Sequence, residues 1–367
     1  MKRSQKMPHE KFGKIGFFLG GGGAKQGLPQ AIQLNLFFKA GIKPDVIDAG
    51  SVGAFNALYP ENSISIWENY VTSPEAIYEF NPAVKKLIVD VKEALPHKTS
   101  PPFSIKEPQH WKEIVDDLKI QLYKIFFAYK LLKPLLKSSF YGDTTSIKKA
   151  KEAGEPLRRV LTEFIEKREI RKIPAFLDIE PIIKLIFEKI NLESLSGYTW
   201  ETNFLVRSFN TGDITFLKAK NPQEFVPLAC ASAAIRPLFS PVFVQNEWYC
   251  DGIQANPFPV ENLFDKCDTI FAFVQNYEIF EPKDNIFKAL FFEESNALEK
   301  HLFRILKSQA QKRAQKENKK FFIIHPQEPM HKDLGLLSIS EEAIKYTKKI
   351  ETEATEKFLK ELLQNKK

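Results

Sequence analysis

The chain has 367 residues, of which 43% are hydrophobic, and this is enough for one large α/β core or two smaller domains. Its three cysteines form an odd and sparse set without the spacing of metal ligands, so they argue against a disulfide scaffold and favour a reducing compartment. The formal net charge of +7 is compatible with nucleic acid, an anionic membrane surface or solubility alone, and it ranks these partners only weakly.

Two features of the sequence bear on membrane insertion. The basic N-terminus is not followed by the apolar segment of a cleavable signal peptide. The most apolar run, residues 123–136, contains Lys124, Lys130 and Lys133, and no stretch reaches the ~20 apolar residues that a membrane span requires. We therefore expect a cytoplasmic protein or one that contacts a membrane peripherally, with export by another route left open.

The first part of the chain alternates between strand and helix patterns. An apolar run of strand length ends at four successive glycines, and apolar residues then recur at helical spacing, with Pro29 suited to a first helical turn. Such an alternation predicts a parallel sheet covered by helices. The pattern predicts a strand at 15–19, a glycine turn at 20–23 and a helix at 28–40. A second strand at 46–47 and a sharp turn into a second helix at 51–58 follow.

Residues 61–173 differ in character, because lysine-rich helical patterns surround a proline-rich break at 97–108. This composition predicts an inserted helical region or cap. Residues 114–137 carry an apolar stripe flanked by lysines, which is typical of ordinary core packing. A membrane-facing lid with snorkelling lysines is the less favoured alternative for this stripe.

The α/β pattern returns at residue 204. Two β-rich runs, 204–209 and 214–217, flank a turn typical of a hairpin, and residues 340–367 have the pattern of a charged amphipathic helix. Further strands are predicted at 243–244, 270–275 and 321–325.

The glycine run is the first segment that suggests chemistry. Glycines allow backbone N–H groups to approach a bound oxygen closely, and a helix N-terminus behind them adds positive potential, so the loop can hold a phosphate or an oxyanion. A Walker A loop requires Gly, Lys and then Ser or Thr, whereas Lys25 lies between Ala24 and Gln26. The spacing of a dinucleotide-binding loop also fails, which disfavours nucleotide binding.

Residues 49–53 have the pattern of a nucleophile elbow, in which small neighbours allow a serine to lie on a tight strand-to-helix turn. Ser51 would be the nucleophile, and its hydroxyl requires a base. His325, at the end of a predicted strand, is the one histidine placed to complete a triad, although it also fits an ordinary loop histidine. Asp251 precedes Gly252 at a strand end, where aspartate is usually a turn residue.

Taken together, these segments resemble the patatin-like phospholipase family. The resemblance rests on the glycine loop 21–25, the elbow 51–54 and Asp251-Gly252, with further similarity at 40–47 and 229–242. It implies a three-layer α/β sandwich with a central, mainly parallel sheet. The implied division is a core of residues 1–60 and 174–340, a helical insertion at 61–173 and a charged C-terminal helix at 341–367.

The resemblance also implies a reaction. Ser51 would attack an acyl ester while Asp251 takes its proton without a histidine relay. Backbone N–H groups of Gly21, Gly22 and Gly23 would bind the oxyanion, and three residues would support the site: Lys25, Gly53 and Gly252. No metal or organic cofactor is implied. The expected partners are phospholipids or other acyl lipids, with peripheral contact to an anionic membrane and no nucleic acid.

The sequence departs from the family pattern at three positions. Gln26 separates Lys25 from Gly27, which predicts a loop one residue longer. Ala49 replaces the first glycine of the elbow, and Ile253 replaces a small residue after Asp251-Gly252. These departures keep open a catalytically silent lipid-binding or scaffold protein, and His325 keeps open an esterase with a Ser-Asp-His triad. The acyl position, headgroup and oligomeric state are not determined by the sequence.

Overall fold

The computed structural model describes residues 11–71, 79–80, 177–178, 181–182, 185, 188, 198–236, 238–275, 294–331, 334 and 339–364. The chain divides into two compact units, one formed by Met1–Glu79 with Leu177–Lys367 and the other by Phe80–Phe176. The predicted stripe at 114–137 and most of the predicted insertion at 61–173 lie outside the described residues.

The elements follow one another in the alternating order expected of an α/β fold. The strands are β1 (Ile15–Leu19), β2 (Val46–Ala49), β3 (Glu79–Phe80), β4 (Leu177–Asp178), β5 (Glu201–Ser208), β6 (Ile214–Lys218), β7 (Val242–Val244), β8 (Glu247–Asp251), β9 (Thr269–Phe273) and β10 (Lys320–Ile324). The helices are α1 (Ala24–Lys39), α2 (Val52–Leu58), α3 (Ser63–Asn69), α4 (Pro222–Ala233), α5 (Glu261–Lys266), α6 (Glu294–Lys316) and α7 (Glu341–Gln364). Among these described helices, none combines the length and the low charge needed to cross a bilayer.

The central sheet has the strand order β10-β9-β1-β2-β5-β8-β7, with β6 paired to β5. The pairs from β10 to β5 are parallel, whereas the pairs that involve β6, β7 and β8 are antiparallel. Strands β1 and β9 are buried along their whole length, as expected of parallel strands covered on both faces. The predicted α/β class with a mainly parallel central sheet is confirmed.

Helices cover both faces of this sheet. Neighbouring residues of a strand point to opposite faces, and the two phenylalanines of β1 show what lies on each. The Phe17 ring is 5.9 Å from the Phe37 ring of α1, whereas the Phe18 ring is 5.7 Å from that of Phe258. Phe18 belongs to a buried cluster with Phe264 of α5 and Phe303 of α6. The predicted three-layer arrangement is therefore confirmed.

Helix α1 begins earlier than its pattern predicts, at Ala24 rather than residue 28. Gly23 is its N-cap residue, so the glycine run leads directly into the helix. The interpretation of Pro29 as a first-turn residue is therefore wrong, because Pro29 lies inside the helix.

The C-terminal helix α7 packs against α1. The Phe37 and Phe358 rings stack with centroids 6.2 Å apart. The buried Glu351 carboxylate accepts hydrogen bonds from the Gln33 side chain, at 3.0 Å, and from the Gln327 backbone N–H. Burial raises the pKa of Glu351 to about 7, against the lowering effect of these bonds. The C-terminal helix α7 thus supports α1, the helix that follows the glycine loop, through packing and buried hydrogen bonds.

Candidate active site

Ser51 lies on the sharp turn between β2 and α2 and has a backbone conformation that is rare for a side-chain-bearing residue. Its φ is 55° and its ψ is −130°, and its side chain is 3% exposed. Its N–H donates to the carbonyl oxygen of Ser232 at 3.1 Å and to the Ser232 Oγ at 3.2 Å. Strain of this kind persists where the surroundings over-determine it, and it is found at functional sites. The predicted elbow is present in the structure.

The elbow requires a close approach between α2 and β1. A Cβ atom added to Gly53 would lie 2.2 Å from the Leu19 carbonyl oxygen and 2.9 Å from that of Gly20. Backbone atoms cannot rotate away, so only glycine fits at this position. Ala49, the departure at the start of the elbow, ends β2 with its side chain fully buried.

Pairing along β5 brings the end of β8 next to the end of β2. Residues 203–204 of β5 pair with both β2 and β6, and residues 206–207 pair with both β6 and β8. A strand pairs along only two edges. Since β6 occupies one edge of β5, both β2 and β8 pair along the other edge. The β5 residues that face Ala49 and Asp251 are two positions apart. The two strand ends are therefore separated by about 7 Å along this edge.

The C-terminal end of α4 supports the backbone of both segments. Ser232 binds the Ser51 N–H, as described above, and its Oγ donates to the Leu205 carbonyl at 2.6 Å. Two residues later, the Ala234 carbonyl accepts from the Asp251 N–H at 3.1 Å. Residues 232–234 at the end of α4 thus bind both the backbone of Ser51 and the backbone of Asp251, which fixes the distance between them. The sequence offered little sign of this role, since Ser232 lies in a run of small residues.

The glycine loop lies against the Ser51 side chain. A Cβ atom added to Gly21 would be 2.8 Å from the Ser51 Cβ and 3.3 Å from its Oγ. Gly22 and Gly23 have φ values of 142° and 61°, which favour glycine. Within the described part of the chain, the N–H groups of Gly21, Gly22 and Gly23 donate to no other group. Backbone donors therefore adjoin the serine hydroxyl, and half-buried Lys25 follows in the first turn of α1.

Ile253 packs where the three segments meet. Its Cγ1 is 2.5 Å from the position of a Cβ on Gly50, and its Cγ2 is 3.0 Å from that of a Cβ on Gly21. Its N–H donates to the Asp251 Oδ1 at 2.7 Å, which fixes the orientation of that carboxylate. Gly252 is required between them, because a Cβ there would lie 2.8 Å from the Leu205 Cγ. The departure at Ile253 therefore fills space beside the predicted nucleophile.

Gln26 lies in α1 and not in the loop, so the prediction of a longer loop is wrong. Its Cβ is 2.6 Å from the position of a Cβ on Gly22, so its side chain packs against the loop. The side chain is fully buried, and its amide nitrogen and oxygen have no hydrogen-bond partner among the described residues.

A buried polar network behind the loop was not predicted. Gln30 donates to the carbonyl oxygens of Gly20, at 3.3 Å, and Phe273, at 3.2 Å. Asn56 of α2 donates to the Gln30 side chain at 2.8 Å and accepts from the Trp67 indole at 3.0 Å. The network ties the helix after the serine to the start of the glycine loop. In the sequence, Gln30 is marked only as a glutamine on the buried helix α1.

The structure does not bring His325 to the serine. His325 follows β10, and β9 and β1 separate β10 from β2. Three inter-strand spacings amount to roughly 14 Å. The His325 Nδ1 instead lies 3.1 Å from the Val274 carbonyl oxygen, in keeping with an ordinary structural histidine.

Asp48 is a second buried carboxylate on β2, three residues before the serine. Its oxygens accept hydrogen bonds from Asn203 at 2.7 Å and from Asn262 at 3.0 and 2.9 Å. Burial raises its pKa from 3.8 to about 6, although both asparagines and the charge of Lys266 act in the opposite direction. Asp48 ties α5 to the sheet beneath the elbow.

The raised pKa of Asp48 predicts a specific pH dependence of stability. The folded protein holds this proton more tightly than the unfolded chain, so the stabilisation is complete below pH 3.8 and is lost as the pH rises through about 6. The loss amounts to about 3 kcal/mol in the free energy of unfolding. In denaturant titrations across this range, the wild type should therefore lose stability relative to Asp48→Asn as the pH rises. Because Glu351 is present in both proteins, its titration cancels, and parallel stability curves would contradict the assignment.

Comparison with known proteins places these features in a family. The sequence profile of the patatin-like phospholipase family matches residues 17–264. No curated protein matches the chain. The structure of VipD from Legionella pneumophila is similar at 15% identity and a TM-score of 0.41, over 95% of this chain and 67% of VipD.

A second similar structure is the complex of full-length SpcU with full-length ExoU from the type III secretion system of Pseudomonas aeruginosa. The identity is 14% and the TM-score is 0.32, over 96% of this chain and 53% of the matched chain. This chain therefore spans about half the length of that protein. Among the described residues, no group of three or more His, Cys, Asp or Glu side chains is arranged to hold a metal ion.

Proposed function

This chain belongs to the patatin-like phospholipase family, and from that premise we propose that it is a phospholipase A-type acyl hydrolase with Ser51 as nucleophile and Asp251 as base. The observation that carries the proposal is the meeting of β2 and β8 on one edge of β5. The strained Ser51 also adjoins Gly21, and the Gly21, Gly22 and Gly23 N–H groups have no partner among the described residues. The family membership supports a lipid substrate.

In the proposed reaction, the Ser51 Oγ attacks the ester carbonyl carbon while an Asp251 oxygen takes the hydroxyl proton. The Asp251 Oδ1 accepts a hydrogen bond from the Ile253 N–H at 2.7 Å, which orients the carboxylate for this transfer. The Gly21, Gly22 and Gly23 N–H groups stabilise the negative oxygen of the tetrahedral intermediate. Loss of one such donor typically raises the barrier by ~3 kcal/mol.

The intermediate collapses when the C–O bond to the alcohol breaks, and the alcohol leaves with the proton from Asp251. Water then attacks the acyl-Ser51 ester, giving its proton to Asp251, and the free fatty acid departs as Ser51 recovers its hydrogen. Aspartate acts as base and acid in turn in both half-reactions.

A catalytically silent lipid-binding protein is the second candidate. Two observations favour it: Ser51 is 3% exposed, and Ile253 packs against Gly21 and Gly50 beside it. A site closed in this way would not admit an ester to the serine.

The deciding experiment compares the wild type with Ser51→Ala on a mixed lipid extract, with products identified by mass spectrometry. We expect the wild type to release fatty acids and lysolipids, and Ser51→Ala to do so at least ~10⁴-fold more slowly. A fluorophosphonate should label the wild type at Ser51 and leave the variant unlabelled. Absence of both labelling and hydrolysis in folded wild-type protein would overturn the proposal in favour of the silent candidate.

A further inference from the structure

Exposed large hydrophobic side chains cluster on the two antiparallel hairpins that flank Asp251. Seven large hydrophobic side chains are exposed among the described residues. Four of the seven lie on strands β5 to β8 or directly beside them. The four are Phe209, Ile214, Phe243 and Trp248. A contiguous exposed apolar patch of this kind commonly marks an interaction surface.

Strand pairing aligns three of these side chains. Trp248 lies opposite Phe243 on β7, and their ring centroids are 5.3 Å apart. On its other side, the Trp248 carbonyl accepts the Phe209 N–H at 2.7 Å, in register with the pairing of Ser208 and Tyr249. Phe209, Trp248 and Phe243 therefore form an aromatic row across β5, β8 and β7. The three side chains are 50%, 47% and 54% exposed.

The aromatic row lies on the sheet face that α4 does not cover. Phe204 of β5 contacts the Phe225 ring of α4 at 6.0 Å, so even-numbered residues of β5 face that helix. Phe209 directly follows β5 and remains paired with Trp248 through its N–H, so it continues the alternation and lies on the other face. Trp248 is three residues before Asp251 on the same strand, which places the row about 10 Å from the aspartate.

Positive charge accompanies the row. The Arg236 guanidinium lies 5.0 Å from the centre of the Phe209 ring. Arg207 is exposed and pairs with Ile214, so it lies on the same face. The neighbouring Glu247 carboxylate points to the opposite face from Trp248, where it accepts hydrogen bonds from Ser208 at 3.4 Å and Asn210 at 2.5 Å. An apolar centre with arginines beside it is complementary to a membrane that presents anionic headgroups above acyl chains.

We propose that the aromatic row docks the protein on an anionic phospholipid surface, with Trp248 and the two phenylalanines entering the interfacial layer. The proposal rests on the proposed function, since the row continues directly into the strand that ends at Asp251. Tryptophan is enriched at bilayer interfaces because its ring is apolar and its N–H remains in contact with water. Docking through β7 and β8 brings the membrane to the end of the sheet at which β2 leads to Ser51 and β8 ends at Asp251.

The test uses the full chain and two kinds of vesicle, phosphatidylcholine alone and phosphatidylcholine mixed with phosphatidylserine. Flotation measures binding by the wild type, by Trp248→Ser/Phe243→Ser and by the control Ile305→Ser, which removes an exposed hydrophobic side chain from α6. We expect the double variant to bind mixed vesicles at least ~10-fold more weakly, because it removes two large apolar side chains, and the control to bind like the wild type. Wild-type binding should be tighter to mixed vesicles and should weaken with salt.

Three further readouts separate this proposal from folding defects, from dimer formation and from the proposed function. The double variant should keep wild-type fluorophosphonate labelling, and Ser51→Ala should bind vesicles normally. Equal binding by the double variant and the wild type, or equal binding to both vesicles, would overturn the proposal. A lipid-free wild-type dimer that the double variant disrupts would also overturn it and assign the row to a second copy of the chain. Binding that depends on the row, in a protein without labelling or hydrolysis, would support the docking surface while the proposed function fails.

Discussion

Replacing Asp251 with Asn is expected to lower kcat/KM on a soluble ester by about 10³-fold or more, because the amide cannot accept the serine proton. The substitution is close to isosteric. An Asn side-chain oxygen can still accept the hydrogen bond that the Ile253 N–H makes to the Asp251 Oδ1, and the backbone bond to Ala234 is unaffected. The measurement is steady-state hydrolysis together with thermal unfolding, which should change little.

His325→Ala is the matched control for the choice of base. The structure places His325 three strands from β2 and in contact with the Val274 carbonyl, so its removal should leave most of the activity. The reverse outcome, with His325→Ala inactive and Asp251→Asn active, would assign the protein to the Ser-Asp-His triad class.

Gly53→Ala is expected to cause the largest loss in both stability and activity from a single added methyl group. The new Cβ would lie 2.2 Å from the Leu19 oxygen and 2.6 Å from its carbonyl carbon, so α2 must move away from β1. Overpacking typically costs 1–3 kcal/mol, and we expect about 3 kcal/mol or more because the obstructing atoms are backbone. Movement of α2 also displaces Ser51, so kcat should fall in the fraction that remains folded. Denaturant unfolding and fluorophosphonate labelling rates measure the two effects.

Gly212→Ala supplies a comparison in which the added Cβ makes only ordinary van der Waals contacts. Gly212 lies in the turn between β5 and β6 with φ of 81°, and the nearest atom to a new Cβ is an Arg207 nitrogen at 3.5 Å. The left-handed backbone alone should cost about 1–2 kcal/mol, with catalysis unchanged. If Gly53→Ala were no worse than this control, the close approach of α2 to β1 would not constrain the elbow.

Local residue patterns predicted the elements of the core well, because strand and helix periodicity are properties of short segments. The strand at Ile15–Leu19 has its predicted bounds, and the hairpin between β5 and β6 forms where a turn was expected. The predicted start of α1 is wrong. The pattern of apolar residues begins at Leu28, whereas the helix begins at Ala24, directly after the glycine loop. Apolar periodicity reports the buried face of a helix and not its first hydrogen bond.

Local sequence patterns predict the chemical groups and their local geometry: a glycine loop before a helix, a serine on a tight turn, and an aspartate at a strand end. The packing of the whole chain sets which of these segments are neighbours in space. The shared edge of β5, the support of both segments by the end of α4 and the distance of His325 all arise from pairing between strands far apart in the chain. The aromatic row has the same origin, since Phe209, Trp248 and Phe243 align only in the observed register. Short-range periodicity carries no information about such pairings, because strand order and register are set by the packing of the whole sheet.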